Sequence, residues 1–163
     1  MFAILLAAAV SGPADVASLT ARADLVVHAQ VIKQSSAYGV GGGQIFTTVV
    51  LRPIETWKGE IRPQLSVLVA GGAVGELSQT VQGEAAFRDG EEVVVFLTTR
   101  VQGVYSVEKM ALGKFAVGAA LATLPKRALR DRTGLDCQRC GRDEEDDLLL
   151  DELRARVLGS LAR

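Results

Sequence analysis

Between Leu25 and Val117 the chain is a succession of short segments rich in Val, Ile, Thr and Phe, separated by turns marked with Gly and Pro. Strand side chains alternate between two faces with a period of two. The first segment, Leu25 to Gln34, therefore puts Leu25, Val27, Ala29 and Val31 on one face and Val26, His28, Gln30 and Ile32 on the other. The first set is the better core candidate. Tyr38 to Gln44 is a Gly-rich hairpin connection. The second strand, Ile45 to Trp57, is interrupted by Pro53, which lacks a ladder donor and predicts a bulge or an edge position. A bulge there is expected to let Val49, Leu51, Ile54 and Trp57 all reach the core.

Leu65 to Val69 follows as a third strand, and Gly71, Gly72 and Gly75 mark a loop before a short edge strand over Leu77 to Gln82. Asp89-Gly90 is a turn signal ahead of Glu91 to Thr99. Within that segment Val93 to Leu97 is unbroken apolar sequence, the pattern of a strand covered on both faces. Val104 to Val107 and Lys114 to Val117 complete the set. Five main strands with Gly at the corners predict a mainly β fold, a small OB-like five-stranded barrel, with a flat sandwich as the alternative architecture.

The flanks are helical or polar. Val16, Leu19 and Ala23 lie three or four residues apart and predict a short N-terminal helix. Residues 118–147 read as a polar linker, with Pro125 to Arg142 basic and Asp143 to Asp147 wholly acidic. From Leu148 to Arg163 the spacing predicts a C-terminal amphipathic helix with Leu150, Leu153, Val157 and Leu161 in one stripe. Met1 to Gly12 reads as an export signal. Its apolar stretch, Phe2 to Val10, is too short to span a bilayer, although no Lys or Arg precedes it. The domain at 13–117 is thus expected in a secreted or periplasmic protein, with no stable membrane span in the mature chain.

Several motifs resemble known proteins. Ala23-Asp24-Leu25-Val26-Val27, then Val31, then Trp57-Lys58-Gly59, then Gly90-Glu91-Glu92-Val93-Val94-Val95-Phe96-Leu97 occur in that order. The series resembles a family of small exported bacterial proteins of unknown function and, more distantly, the netrin-like module of tissue inhibitors of metalloproteinases. Both resemblances span roughly Ala23 to Val117 and imply an OB-like barrel. Those inhibitors chelate zinc through a Cys at the mature N-terminus. This chain has no Cys before Cys137, so the mechanism transfers to none of its residues and the resemblance implies architecture.

Candidate chemistry is sparse. Cys137 and Cys140 form Cys-Gln-Arg-Cys, read as a local disulfide in an exported protein, with free or partner-linked thiols and a thiol redox pair as alternatives. A zinc site would need a second pair of ligands. His28, the one histidine, has no evident triad or metal partners and reads as a surface or half-buried strand residue. Gly72 and Gly75 have the separation of a dinucleotide fingerprint, but Ala70 stands at its first glycine and no helical stripe follows. The block Asp143 to Asp147 lacks the ligand spacing of a calcium loop. A net charge of −1 argues against a nucleic-acid binder.

The expected function is that of an exported, non-enzymatic binding domain without a cofactor, whose partner is a protein. Loops on a rigid barrel are the expected contact surface: Tyr38 to Gln44, Gly71 to Gly75 including Gly72, and Gln82 to Arg88 including Phe87 and Arg88. The alternatives are a protease inhibitor acting through a barrel loop, and a redox protein using Cys137 and Cys140.

Overall fold

The computed structural model describes residues 14–132 and 144–163. The export signal at 1–12 and the pair Cys137 and Cys140 lie outside the described residues. Among the described residues the fold is mainly β, with a large sheet and two α-helices. Helix α1 spans Val16–Arg22 and is followed by β1 (Leu25–Tyr38), β2 (Ile45–Lys58) and β3 (Leu65–Ala70). A separate hairpin comprises β4 (Gly72–Val74) and β5 (Leu77–Gln79). Then come β6 (Glu92–Val101), β7 (Val104–Val107), β8 (Lys114–Gly118), β9 (Arg127–Arg130), β10 (Asp147–Leu149) and α2 (Leu150–Leu161).

The sheet order is β1-β2-β3-β7-β6-β8-β9-β10, and β1 also pairs with β6. All pairings are antiparallel except β3 with β7, which run parallel at Ser66↔Val104 and Val67↔Tyr105. The two ends of β6 divide its far edge. Glu92 to Val95 pairs with β8, and Leu97 to Val101 pairs with β7.

Two cores follow from the alternation along β1 and β6. Leu25, Val27, Ala29 and Val31 join Val93, Val95 and Leu97 in one core, with Val49, Leu51, Leu65, Val67, Val69, Tyr105 and Val107. Val26, Val94 and Phe96 point the other way. They meet Trp57, Phe115, Ala128 and Leu148, and the helices cover them through Val16, Leu19, Leu153 and Val157. This second core explains why Val93 to Leu97 is apolar without a break. It also buries the second face of β1 at Val26 and His28, so His28 is not the surface or half-buried strand residue that the sequence predicts.

Helix α1 is short but well terminated. Asp15 caps its N-terminus by accepting from the Ser18 backbone N–H at 2.9 Å and the Ser18 hydroxyl at 2.7 Å. At the other end Lys58 Nζ donates to the carbonyls of Thr20 and Ala23, placing a cation where the helix dipole favours one.

Other sequence expectations need correction as well. Ile54 does not reach the core. The register of β1 against β2 steps from His28↔Glu55 to Ala29↔Pro53, so Ile54 is the extra residue of the bulge and is more than half exposed. The stretch 118–147 is not all linker, because β9 and β10 extend the large sheet and bury Ala128 and Leu148. Helix α2 starts at Leu150 rather than Leu148, since Leu148 and Leu149 pair with β9. Leu161, expected in the buried stripe, is 44% exposed.

Candidate functional site

Two of the three expected contact loops meet at one end of the sheet. The β1–β2 connection begins with a turn closed by Gly42 N–H donating to Gly39 O at 3.0 Å. Val40 occupies the second position of that turn and Gly41, with φ 88°, the third. That is the type II pattern, in which the third residue needs positive φ. The turn pushes Val40 fully into solvent.

The β4–β5 hairpin braces this loop. Gln79 Oε1 accepts from the Ile45 backbone N–H at 2.7 Å, and Gln79 Nε2 donates to Gly43 O. Gly71 N–H donates to Ile45 O at 2.8 Å. The Thr47 hydroxyl donates to Gly71 O at 2.8 Å and lies 2.8 Å from the Ser36 hydroxyl. Gly72 is required here, because a Cβ at that position would overlap both hydroxyls. Tyr38, Val40 and Leu77 are all exposed at this end, and Gln44 is exposed beside them.

The third expected loop behaves differently. In the segment from Gln82 to Arg88, Ala85 and Phe87 belong to the first core. Phe87 is 8% exposed, so its side chain is not offered for contact, whereas Arg88 is exposed. The segment is tied down from several sides. Gln34 Nε2 donates to Phe87 O at 3.0 Å, Glu84 accepts from the Ala70 backbone N–H at 3.1 Å, and Lys114 Nζ donates to Ala86 O. Lys114 is itself buried, with Glu91 at 2.9 Å and the Phe87 ring centroid at 5.0 Å.

His28 has partners that the sequence did not reveal. Its Nε2 lies 2.6 Å from Glu92 Oε1, and the tilted Trp57 ring is 6.2 Å away between centroids. Lys126 Nζ donates to both Glu92 oxygens at 2.8 and 2.7 Å. Burial pushes Glu92 upward, but the Lys126 and His28 hydrogen bonds outweigh it and leave the carboxyl below the ordinary glutamate value. Nearby, Arg154 of α2 donates to Glu55 Oε1 while Trp57 Nε1 donates to Glu55 Oε2 at 2.9 Å. These bonds, Arg154 first, hold Glu55 below its ordinary value too. The cluster joins β1, β2, β6 and α2. Each carboxylate is already engaged by a cation and a ring N–H, so Glu55 fastens α2 to the sheet and Glu92 fastens the segment that leads into β9.

A second ionic cluster fastens β9. Arg130 stacks over the Phe115 ring at 4.8 Å and pairs with Asp146 at 3.0 Å. It also donates to Ala14 O, while Glu145 accepts from the Val16 N–H at 2.7 Å. Among the described residues no three His, Cys, Asp or Glu side chains stand together in a group that could hold a metal ion, and no helix is long and apolar enough to cross a membrane.

The loop end carries a further signal that the strand-by-strand reading missed. Residues 34–51 and 63–83 contain a single charged side chain, Glu76, in a chain that is 23% charged. The segments that carry Tyr38, Val40 and Leu77 are therefore depleted of charge, with Glu76 in the hairpin and the Glu84 carboxylate against the Ala70 N–H. Depletion of charge with exposed aromatic and aliphatic side chains is the composition of an interface centre.

No protein-family model matches the chain, nor does any curated protein or solved structure.

Proposed function

We propose that the chain is an exported, non-enzymatic binding domain built on an OB-like barrel, and that it contacts a protein through the charge-poor end formed by residues 38–46 and 71–80. The barrel reading is supported by the order of pairings, which runs β1-β2-β3-β7-β6 and returns to β1, with β3 and β7 parallel. Export is supported by the short apolar stretch Phe2 to Val10. The observation that carries the contact reading is the coincidence of charge depletion with exposed Tyr38, Val40 and Leu77 on a loop pair braced by Gln79. Bracing lowers the ordering cost of binding, because the loop is already held before a partner arrives.

The protease-inhibitor alternative draws no support from this loop. Gly41, Gly42 and Gly43 all have positive φ, which gives a turned backbone rather than an extended one able to pair as a strand.

The test is differential capture. Immobilised wild-type chain and the double variant Val40→Asp, Leu77→Asp are exposed to the same exported proteins. Both positions are exposed, so circular dichroism is expected to be unchanged. The binding reading expects a partner held by the wild type and lost by the variant. Equal retention by both would move the contact surface elsewhere.

A further inference from the structure

We infer that the free edge of β1 between Gln34 and Tyr38 takes an extended segment of a partner protein as an added strand. The inference rests on the contact surface proposed above and names the form in which the partner meets it. The direction of each backbone group on β1 follows from its ladder with β2. Gly39 N–H donates to Gln44 O at 2.7 Å, so the next pair in register, Tyr38↔Ile45, is one whose backbone groups turn away from each other. Ile45 agrees, since its N–H goes to Gln79 and its C=O to Gly71, away from β1. The alternation runs without a shift through Ala37↔Phe46, Ser36↔Thr47, Ser35↔Thr48 and Gln34↔Val49. The N–H and C=O of Gln34, Ser36 and Tyr38 therefore point away from β2. Strand β6 fills that side of β1 only from Leu25↔Leu97 to Gln30↔Glu92, after which Val31 bonds to Glu91 and Gly90. Among the described residues no strand pairs with β1 on that side beyond Val31.

Other strand edges in the molecule are closed. Ala70 N–H at the end of β3 donates to Glu84, and Thr99 N–H on β6 donates to Asp24. Beyond Leu51, where its pairing with β3 stops, β2 carries Pro53 and the bulge. Strands β5 and β10 are three residues long. The edge at 34–38 has none of these protections. It contains no proline and no charged side chain, and Ser35, Ala37 and Tyr38 are exposed. Donors and acceptors repeating at ladder spacing are matched by another extended backbone, and this selects the occupant where low charge alone does not. The segment 87–90 sets the length of the site. Gln34 Nε2 donates to Phe87 O at 3.0 Å and to Asp89 Oδ1 at 3.1 Å, and Gly90 N–H donates to Val31 O. An incoming strand must end or turn away there. A second copy of the β1–β2 hairpin does not fit this space. Antiparallel pairing centred on Ser36 would set Val40 of one copy opposite Ile32 of the other, beside the place that Gly90 and Glu91 already take. The segment that fits is extended and uncharged, because nothing from Gln34 to Tyr38 offers an ion to pair with a charge.

Short random peptides displayed on phage and selected against the immobilised chain test the inference. The selected peptides are synthesised and titrated into the chain while its backbone amides are followed by NMR. Binding should slow exchange at the Ser36 and Tyr38 amides, which face the partner, and leave exchange at Ser35 and Ala37, already bonded to β2, unchanged. Methylating alternate backbone nitrogens of the peptide should weaken binding by about tenfold or more in one phase of the alternation and by less than about threefold in the other. Tyr38→Pro removes a donor aimed at the partner and leaves the β1–β2 ladder whole. It should weaken binding at least about tenfold more than Tyr38→Ala does. A selection that yields no binder overturns the inference. So do peptides indifferent to backbone methylation, or held as well by Tyr38→Pro as by Tyr38→Ala. Protection of Ser36 and Tyr38 that rises with the chain's own concentration would put a second copy on this edge and overturns it too. If the inference fails while capture of an exported protein still depends on Val40 and Leu77, the contact reading stands. If capture is indifferent to both positions, the contact reading falls with it.

Discussion

Asp15 shows how one side chain sets the start of an element, and its effect can be read by pH. Its carboxylate accepts two hydrogen bonds from Ser18, side chain and backbone. Those bonds hold its pKa below the ordinary value, with Arg22 helping. A carboxyl depressed in the folded state stabilises the fold above its unfolded pKa, and that contribution is lost as pH falls through the folded value. Asp15→Ala should therefore cost about 1 kcal/mol at neutral pH. The gap between wild-type and variant melting temperatures should shrink once pH drops below about 4. Lys114 is the opposite case, a cation buried beneath β8. Its sequence neighbours mark it as an ordinary strand residue, and nothing in them announces that Glu91, Ala86 O and Phe87 surround it. Lys114→Ala leaves Glu91 without this cation in a mostly buried place and should cost about 3 kcal/mol in urea denaturation.

At the scale of elements, strands with strict alternation were legible and strands made of mixed residues were not. Leu25, Val27, Ala29 and Val31 announced their shared face, and Val93 to Leu97 announced burial on both faces. Strand β9 reads Arg-Ala-Leu-Arg and hides its inward pair, Ala128 and Arg130, because a buried arginine looks polar in the sequence. Its burial depends on Phe115, Asp146 and Ala14, all distant in the chain. The bulge at Pro53 was legible but its consequence for Ile54 was not, since only the register tells which residue is extra. Helix α2 gives a sharp contrast within one stripe. Leu153 is fully buried and Leu161 is 44% exposed. Leu153→Ala should cost about 2–5 kcal/mol through lost burial and the cavity left behind, and Leu161→Ala should stay within about 0.5 kcal/mol of wild type. Gln79 has a local role. Gln79→Ala should speed amide exchange at Ile45, whose N–H it accepts, while the exchange of Val94 and Val95 in the centre of the sheet stays slow.

At the scale of the whole molecule, charge is distributed unevenly. Ion pairs gather where the helices and the last three strands are fastened, at Glu55–Arg154, Glu92–Lys126 and Arg130–Asp146. The opposite part, built from the end of β1, the first half of β2, β3 and the small hairpin, carries few charges. The candidate site was partly legible because Gly-rich loops mark themselves. Its assembly was not legible, since the approach of Gly72 to Ser36 and Thr47 and the reach of Gln79 to the β1–β2 loop are tertiary. The central proposal is that this end touches a partner. Photocrosslinking from a benzophenone side chain placed at Val40, in cells that make the protein, tests that claim most directly. Leu121, equally apolar and 64% exposed, is the control position. Discrete adducts to a partner protein are expected from position 40, and only background from position 121. Background from position 40 alongside discrete adducts from position 121 would contradict it.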